Sequence, residues 1–119
     1  MDINTSNNKS DQERYKYLVD HILLNKQVWM LQASDDSFAM FEDANGHSYI
    51  AVWPDKESTM PFIIDDWESY TPARMGLGEL LDWMNELKND DIMIGAFPNS
   101  AMQSLAIDPL DFKKQLYKI

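Results

Sequence analysis

Apolar and polar positions change their period several times along the chain, and each change predicts an element. Tyr15, Leu18, Val19 and Ile22 recur at helical spacing and mark one buried stripe. Ser10-Asp11-Gln12-Glu13, just before them, is a capping box. The Ser10 hydroxyl can accept from the Glu13 N–H while the Glu13 side chain reaches back. A helix is expected from this box to about Leu24. Strand signals follow. Residues 28–33 (VWMLQA) and 37–42 (SFAMFE) are β-rich runs on either side of Asp35-Asp36. Residues 47–53 (HSYIAVW) come after Asn45-Gly46, a strong hairpin signal. Together the three runs predict an antiparallel meander that stops at Pro54, which has no N–H for a ladder.

Beyond Pro54, Asp55 can cap a short helix over 56–60 that Pro61 limits. Residues 71–76, with Thr71-Pro72 at one end and Met75-Gly76 at the other, read as an irregular connection. Residues 77–88 give the strongest helix. Leu77, Leu80, Leu81, Met84 and Leu87 form its apolar face, and Glu79, Asp82 and Glu86 form an acidic stripe. Residues 92–97 (IMIGAF) are apolar at every position, as an interior strand is. Residues 101–107 are expected to lie extended against the sheet edge. Asp108-Pro109 then opens a last helix over 110–117. The predicted class is α+β. A mainly antiparallel sheet, the meander plus a later interior strand, is packed by three to four helices. Residues 1–9 are polar and expected to be disordered, leaving 10–119 as a single domain.

Charge narrows the function classes. The 119-residue chain has a net charge of -10, and residues 35–91 hold fourteen acids against three bases. Such a balance argues against binding nucleic acid through phosphates and against docking on anionic lipid. Absence of cysteine excludes disulfides, a thiolate nucleophile and cysteine-ligated zinc. No apolar run approaches the roughly 20 residues that span a bilayer. Residues 1–10 lack the apolar stretch of a secretory signal, so a cytoplasmic protein is expected.

The order of features resembles a known family. A helix leads into Val28-Trp29, the meander ends in Ala51-Val52-Trp53-Pro54, and a short helix and Trp67 follow. Then come a leucine-rich helix, a strand ending Phe97-Pro98, and a closing helix that begins Pro109-Leu110-Asp111-Phe112. This pattern, over residues 15–116, resembles the bacterial family filed as domain of unknown function 2750. More distantly the layout is similar to the SseB-type N-terminal domain of secretion-associated and immunity proteins. The first family has no assigned activity, so the resemblance implies no catalytic residue. Pro61 departs from the pattern where helix formers are expected.

Candidate chemistry is sparse. Asp35-Asp36, Asp65-Asp66 with Glu68, and Asp90-Asp91 carry oxygen ligands that suit a hard cation, but no EF-hand spacing is present. Turn formation and solubility are the favoured account of such pairs, since Asp prefers turns and helix ends. His21 and His47 are the two histidines, and no Gly-x-Ser-x-Gly accompanies them. Met75-Gly76-Leu77-Gly78 lacks the Lys-Ser/Thr of a phosphate loop. The aromatics say more. Trp53 and Phe97 both end strands before a proline, which puts them at one end of the sheet. Trp67 and Tyr70 are expected to line a shallow groove there, beside Asp65, Asp66 and Glu68.

The expectation is a non-enzymatic protein-binding module without a cofactor or metal. Its binding face comprises Trp53, Asp65, Asp66, Trp67, Glu68, Tyr70 and Phe97. The partner is another protein, for which a basic surface is the electrostatic match, or a second copy in a homodimer. The alternative is a metal-binding or hydrolytic protein using Asp65, Asp66, Glu68 and His47, which requires those side chains to converge.

Overall fold

The structure is a computed structural model that describes residues 3–117. Its first element, α1 (Ile3–Asn7), falls within the segment expected to be disordered. Ser6 is buried there, and the Asn7 side chain accepts from the Ser100 N–H at 3.0 Å. A polar turn is thus held by contacts 93 residues away in sequence, which hydrophobicity alone does not reveal. Met1 and Asp2, the rest of that expectation at its start, lie outside the described residues.

Helix α2 (Asp11–Asn25) starts on the expected capping box, with both reciprocal bonds at 3.1 Å. Its buried stripe is Arg14, Leu18 and Ile22, with Tyr15 and Val19 half-buried beside it. Lys26 ends the helix in the left-handed region, at φ 59°.

Strand β1 (Gln27–Gln32) corrects the expected meander. Its ladder partner is β4 (Thr71–Gly76), the segment expected to be irregular, in antiparallel register from Gln27↔Gly76 to Gln32↔Thr71. Pro72 is tolerated because β4 has a neighbour on one side alone. The first and second runs meet at an isolated Gln32–Phe38 bridge, flanked by the Ala39 N–H to Leu31 carbonyl bond and the Ala33 N–H to Ser37 carbonyl bond, both 2.8 Å. There the chain turns away, so β2 is only Met40–Glu42 and pairs with β3 (Ser48–Val52).

The Asn45-Gly46 hairpin forms as expected. Gly46 sits at φ 80°, its N–H bonds to the Asp43 carbonyl, and the Asp43 N–H bonds to the His47 carbonyl. Strand β3 then pairs in parallel with β5 (Ile92–Ala96), and β5 pairs antiparallel with β6 (Leu105–Ile107). The four-stranded order β2-β3-β5-β6 makes β5 interior, as its apolar sequence predicts. Three of the four strand pairings among the described residues are antiparallel, and the fold is α+β. The two sheets meet where Trp29 and Trp53 exchange backbone bonds of 2.9 and 2.8 Å.

The β3 to β5 connection carries α3 (Lys56–Thr59), 3-10 turns at Met60–Phe62 and Asp65–Trp67, β4, and α4 (Leu77–Asn89). Asp55 caps α3, and Pro61 falls in the first 3-10 turn, so the helix ends early as its proline requires. Helix α5 (Pro109–Leu116) opens on Asp108, whose carboxylate accepts from the Leu110 N–H at 2.8 Å. The buried apolar side chains, Leu18, Ile22, Ile50, Trp53, Leu80, Met84, Ile94 and Phe112 among them, form one cluster.

Candidate functional site

The aromatic corner at the end of β3 runs from core to surface. Trp53 is fully buried, 5.1 Å from Phe62 and edge-on to Trp67 at 6.5 Å between ring centroids. Trp67 in turn meets Tyr70 at 6.5 Å. Such tilted and edge-on pairs suit the ring quadrupoles and fix the outer rings on the inner one. The Trp53 Nε1–H finds no acceptor among the described residues.

Trp67 sits on the turn Asp65–Trp67, closed by its own N–H to the Ile64 carbonyl at 2.9 Å. Asp65 begins that turn at φ 51°, a conformation Asp adopts more readily than branched residues. The turn forms one wall of a cleft of about 450 Å³. Met40, Phe41 and Glu42 of β2 form another wall, Phe62 and Ile64 lie along it, and Ser100 and Met102 close it. Among the described residues three carboxylates, Glu42, Asp65 and Asp66, line this cleft, and no Lys or Arg does.

The structure therefore gathers part of the expected face. Asp65, Asp66 and Trp67 line the cleft, and Tyr70 braces Trp67 from outside it. Glu68 is exposed but is not in the lining. Trp53 and Phe97 do lie at one end of the sheet, since the Phe97 N–H bonds to the Val52 carbonyl at 2.9 Å. Both are buried, which corrects their placement on a contact face. They support the corner from behind.

His47 is elsewhere. Its Nδ1 lies 3.1 Å from Asp43, so it does not converge with Asp65, Asp66 and Glu68. Asp43 also accepts from the Tyr49 hydroxyl at 2.6 Å and from the N–H groups of Asn45 and His47. The Tyr49 hydroxyl above all, then the His47 N–H, holds the Asp43 carboxyl well below the usual carboxylate range. The same bond pushes the Tyr49 phenol up. Among the described residues no group of three or more His, Asp or Glu side chains is placed to hold a metal ion.

Two features of the cleft escaped sequence reasoning. One is its β2 wall, although Met40 and Glu42 on a strand flanked by turns are a readable sign of an edge. The other is Arg14, which is 1% exposed and holds the far wall. Its Nε donates to the Phe97 carbonyl at 2.8 Å, Nη1 to the Lys9 carbonyl at 2.6 Å, and Nη2 to the Gln103 carbonyl at 2.8 Å and to Asp11. Phe97 is held at φ 48°, costly for an aromatic residue, between this bond and the one to Val52. The loop beyond folds on Asn99, whose carboxamide oxygen accepts from the Ala101 and Gln103 N–H groups at 3.0 and 2.9 Å. Ser100 and Met102 are thereby fixed at the cleft mouth.

The remaining acids are dispersed. Glu79, Asp82 and Glu86 are exposed along α4 and line a separate shallow depression with Phe38, Met75 and Trp83. Asp35 accepts from Ser37 in a turn. No helix is long and apolar enough to cross a membrane among the described residues. No curated protein and no solved structure matches the chain. A family model described as a protein of unknown function (DUF2750) matches residues 15–116, and the chain belongs to that family.

Proposed function

We propose that this protein is a non-enzymatic binding module that takes up a basic segment of another protein at the cleft between β2 and the Asp65–Trp67 turn. The observation that carries this reading is the cleft's composition. Apolar surface from Phe41, Phe62, Ile64, Trp67 and Met102 lies beside three carboxylates, with no cation among the described residues of the lining. A ligand that matches it has apolar groups and positive charge, and an anion such as a nucleic-acid phosphate is repelled. Acidic rims accelerate encounter with basic partners and lose that advantage in salt. The immunity-like form of this reading rests on the resemblance of the sequence layout to SseB-type domains.

Immobilised protein, challenged with host extract at low salt, is the test. The expected result is a retained partner that elutes by 0.3 M NaCl and is at least tenfold depleted on the Asp65→Asn/Asp66→Asn double variant. Equal retention by that variant, or by wild type at high salt, overturns the reading.

A further inference from the structure

The partner segment's conformation follows from the strand that walls the cleft. We infer that it binds as an extended strand added to the free edge of β2, with basic side chains set against Glu42, Asp65 and Asp66. This inference rests on the binding reading above and specifies its mode.

Hydrogen-bond register carries the argument. In an antiparallel pair, opposed residues alternate between close pairs, which exchange both backbone bonds, and wide pairs, whose N–H and C=O groups point away from each other. The Asp43 N–H bonds to the His47 carbonyl at 3.0 Å, so 43/47 is a close pair. Phe41/Tyr49 is then the next close pair, and Met40/Ile50 and Glu42/Ser48 are wide ones. The main-chain groups of Met40 and Glu42 therefore face away from β3. Strand β2 is the end of its sheet, and β1 lets go at Ala39. No hydrogen bond among the described residues takes up those groups.

An open edge alone is ordinary, and short charged edges are how proteins discourage pairing. Here the edge coincides with a cleft and with one sign of charge. Met40 is 38% exposed and Ile64 60% exposed on either side of the groove, which offers apolar purchase to alternate residues of an added strand. A second copy of this chain is the poorer occupant. Its own β2 brings Glu42 and Asp43, and each chain carries a net charge of -10.

The test uses an acetylated seven-residue peptide alternating lysine and valine, and two versions N-methylated at alternate residues to block one or the other main-chain edge. NMR titration at low salt is expected to show saturable binding to the full chain and at least tenfold slower hydrogen exchange at the Met40 and Glu42 amides. One N-methylated version is expected to bind at least tenfold more weakly than the other. If Asp65→Asn/Asp66→Asn weakens binding but both N-methylated peptides bind like the parent, the cleft reading stands and strand addition is overturned. If no peptide binds, both fail. Protection of the same two amides by rising protein concentration without peptide would overturn the inference in favour of self-pairing.

Discussion

Arg14 occupies a position where an apolar stripe calls for leucine. It falls four residues before Leu18 and eight before Ile22, the stripe that faces the core. A guanidinium survives there because main-chain carbonyls from three segments and one carboxylate accept from it. Replacing it with Met keeps the stem but strands the Phe97 and Gln103 carbonyls. Arg14→Met is expected to cost about 3 kcal/mol, read as a lower urea midpoint. Amide shifts at Ser100 and Met102 should accompany the loss, because Arg14 anchors that loop. Gly95 is a second tight position. A Cβ there would stand 2.8 Å from the Phe41 ring. Phe41 lines the cleft and stacks on Tyr49 at 5.2 Å, so it has little freedom to retreat. Gly95→Ala should destabilise by about 1–3 kcal/mol, with Phe41→Leu restoring part of the loss in the double variant. Both positions were legible only in part. The helical spacing of Arg14 with Leu18 and Ile22 is a signal in the sequence, whereas the approach of Phe41 to Gly95 depends on a strand pairing that no local pattern encodes.

Elements form where local chemistry dictates, but their partners are chosen by packing at long range. The capping box, the Asn45-Gly46 hairpin, the leucine face of α4 and the Asp108-Pro109 helix start are decided within a few residues, and all are realised. Choice of β4 as the partner of β1 is not. Strand β4 alternates poorly, contains Pro72, and lies 45 residues from its partner in the Trp29↔Arg74 register. The candidate face suffered for the same reason. Trp67 with Asp65 and Asp66 was recognisable from composition, but the opposing wall comes from β2, whose exposure depends on β1 having turned elsewhere.

Asp108 offers an element-scale test. It caps α5 through the Leu110 N–H and pairs with Lys88 near the end of α4. The Lys88 ammonium holds its carboxyl below the ordinary value, and the carboxylate in turn raises Lys88. A depressed carboxylate stabilises the fold above its unfolded-state value and loses that contribution as pH falls through the folded one. Asp108→Ala should therefore cost about 1 kcal/mol at pH 7. Its urea midpoint should also fall less steeply than wild type between pH 4 and pH 2. Parallel acid limbs for the two proteins would show that the Lys88 pair contributes nothing.

At the scale of the molecule, one charge imbalance acts on two equilibria with opposite sign. The chain measures 35 × 30 × 28 Å along its principal axes. At about 0.01 M ionic strength the screening length is roughly 30 Å, so nearly every carboxylate feels every other. At about 0.1 M it is roughly 10 Å, and only neighbours interact. The acids of the α4 stripe and of the cleft lie apart on the surface, and their mutual repulsion is of the long-range kind that salt removes. Adding NaCl from 0.01 to 0.1 M should therefore stabilise the free protein by about 1 kcal/mol, some 4 °C in Tm. Over the same range the basic peptide should bind more weakly, because its attraction to Glu42, Asp65 and Asp66 is screened as well. The Asp65→Asn/Asp66→Asn variant separates the two effects. It should keep most of the salt-induced rise in Tm, which draws on the whole acid excess, and lose most of the salt dependence of binding, which draws on the cleft. A variant that kept the full salt dependence of peptide binding would place the attraction outside the cleft, in the diffuse field of the molecule.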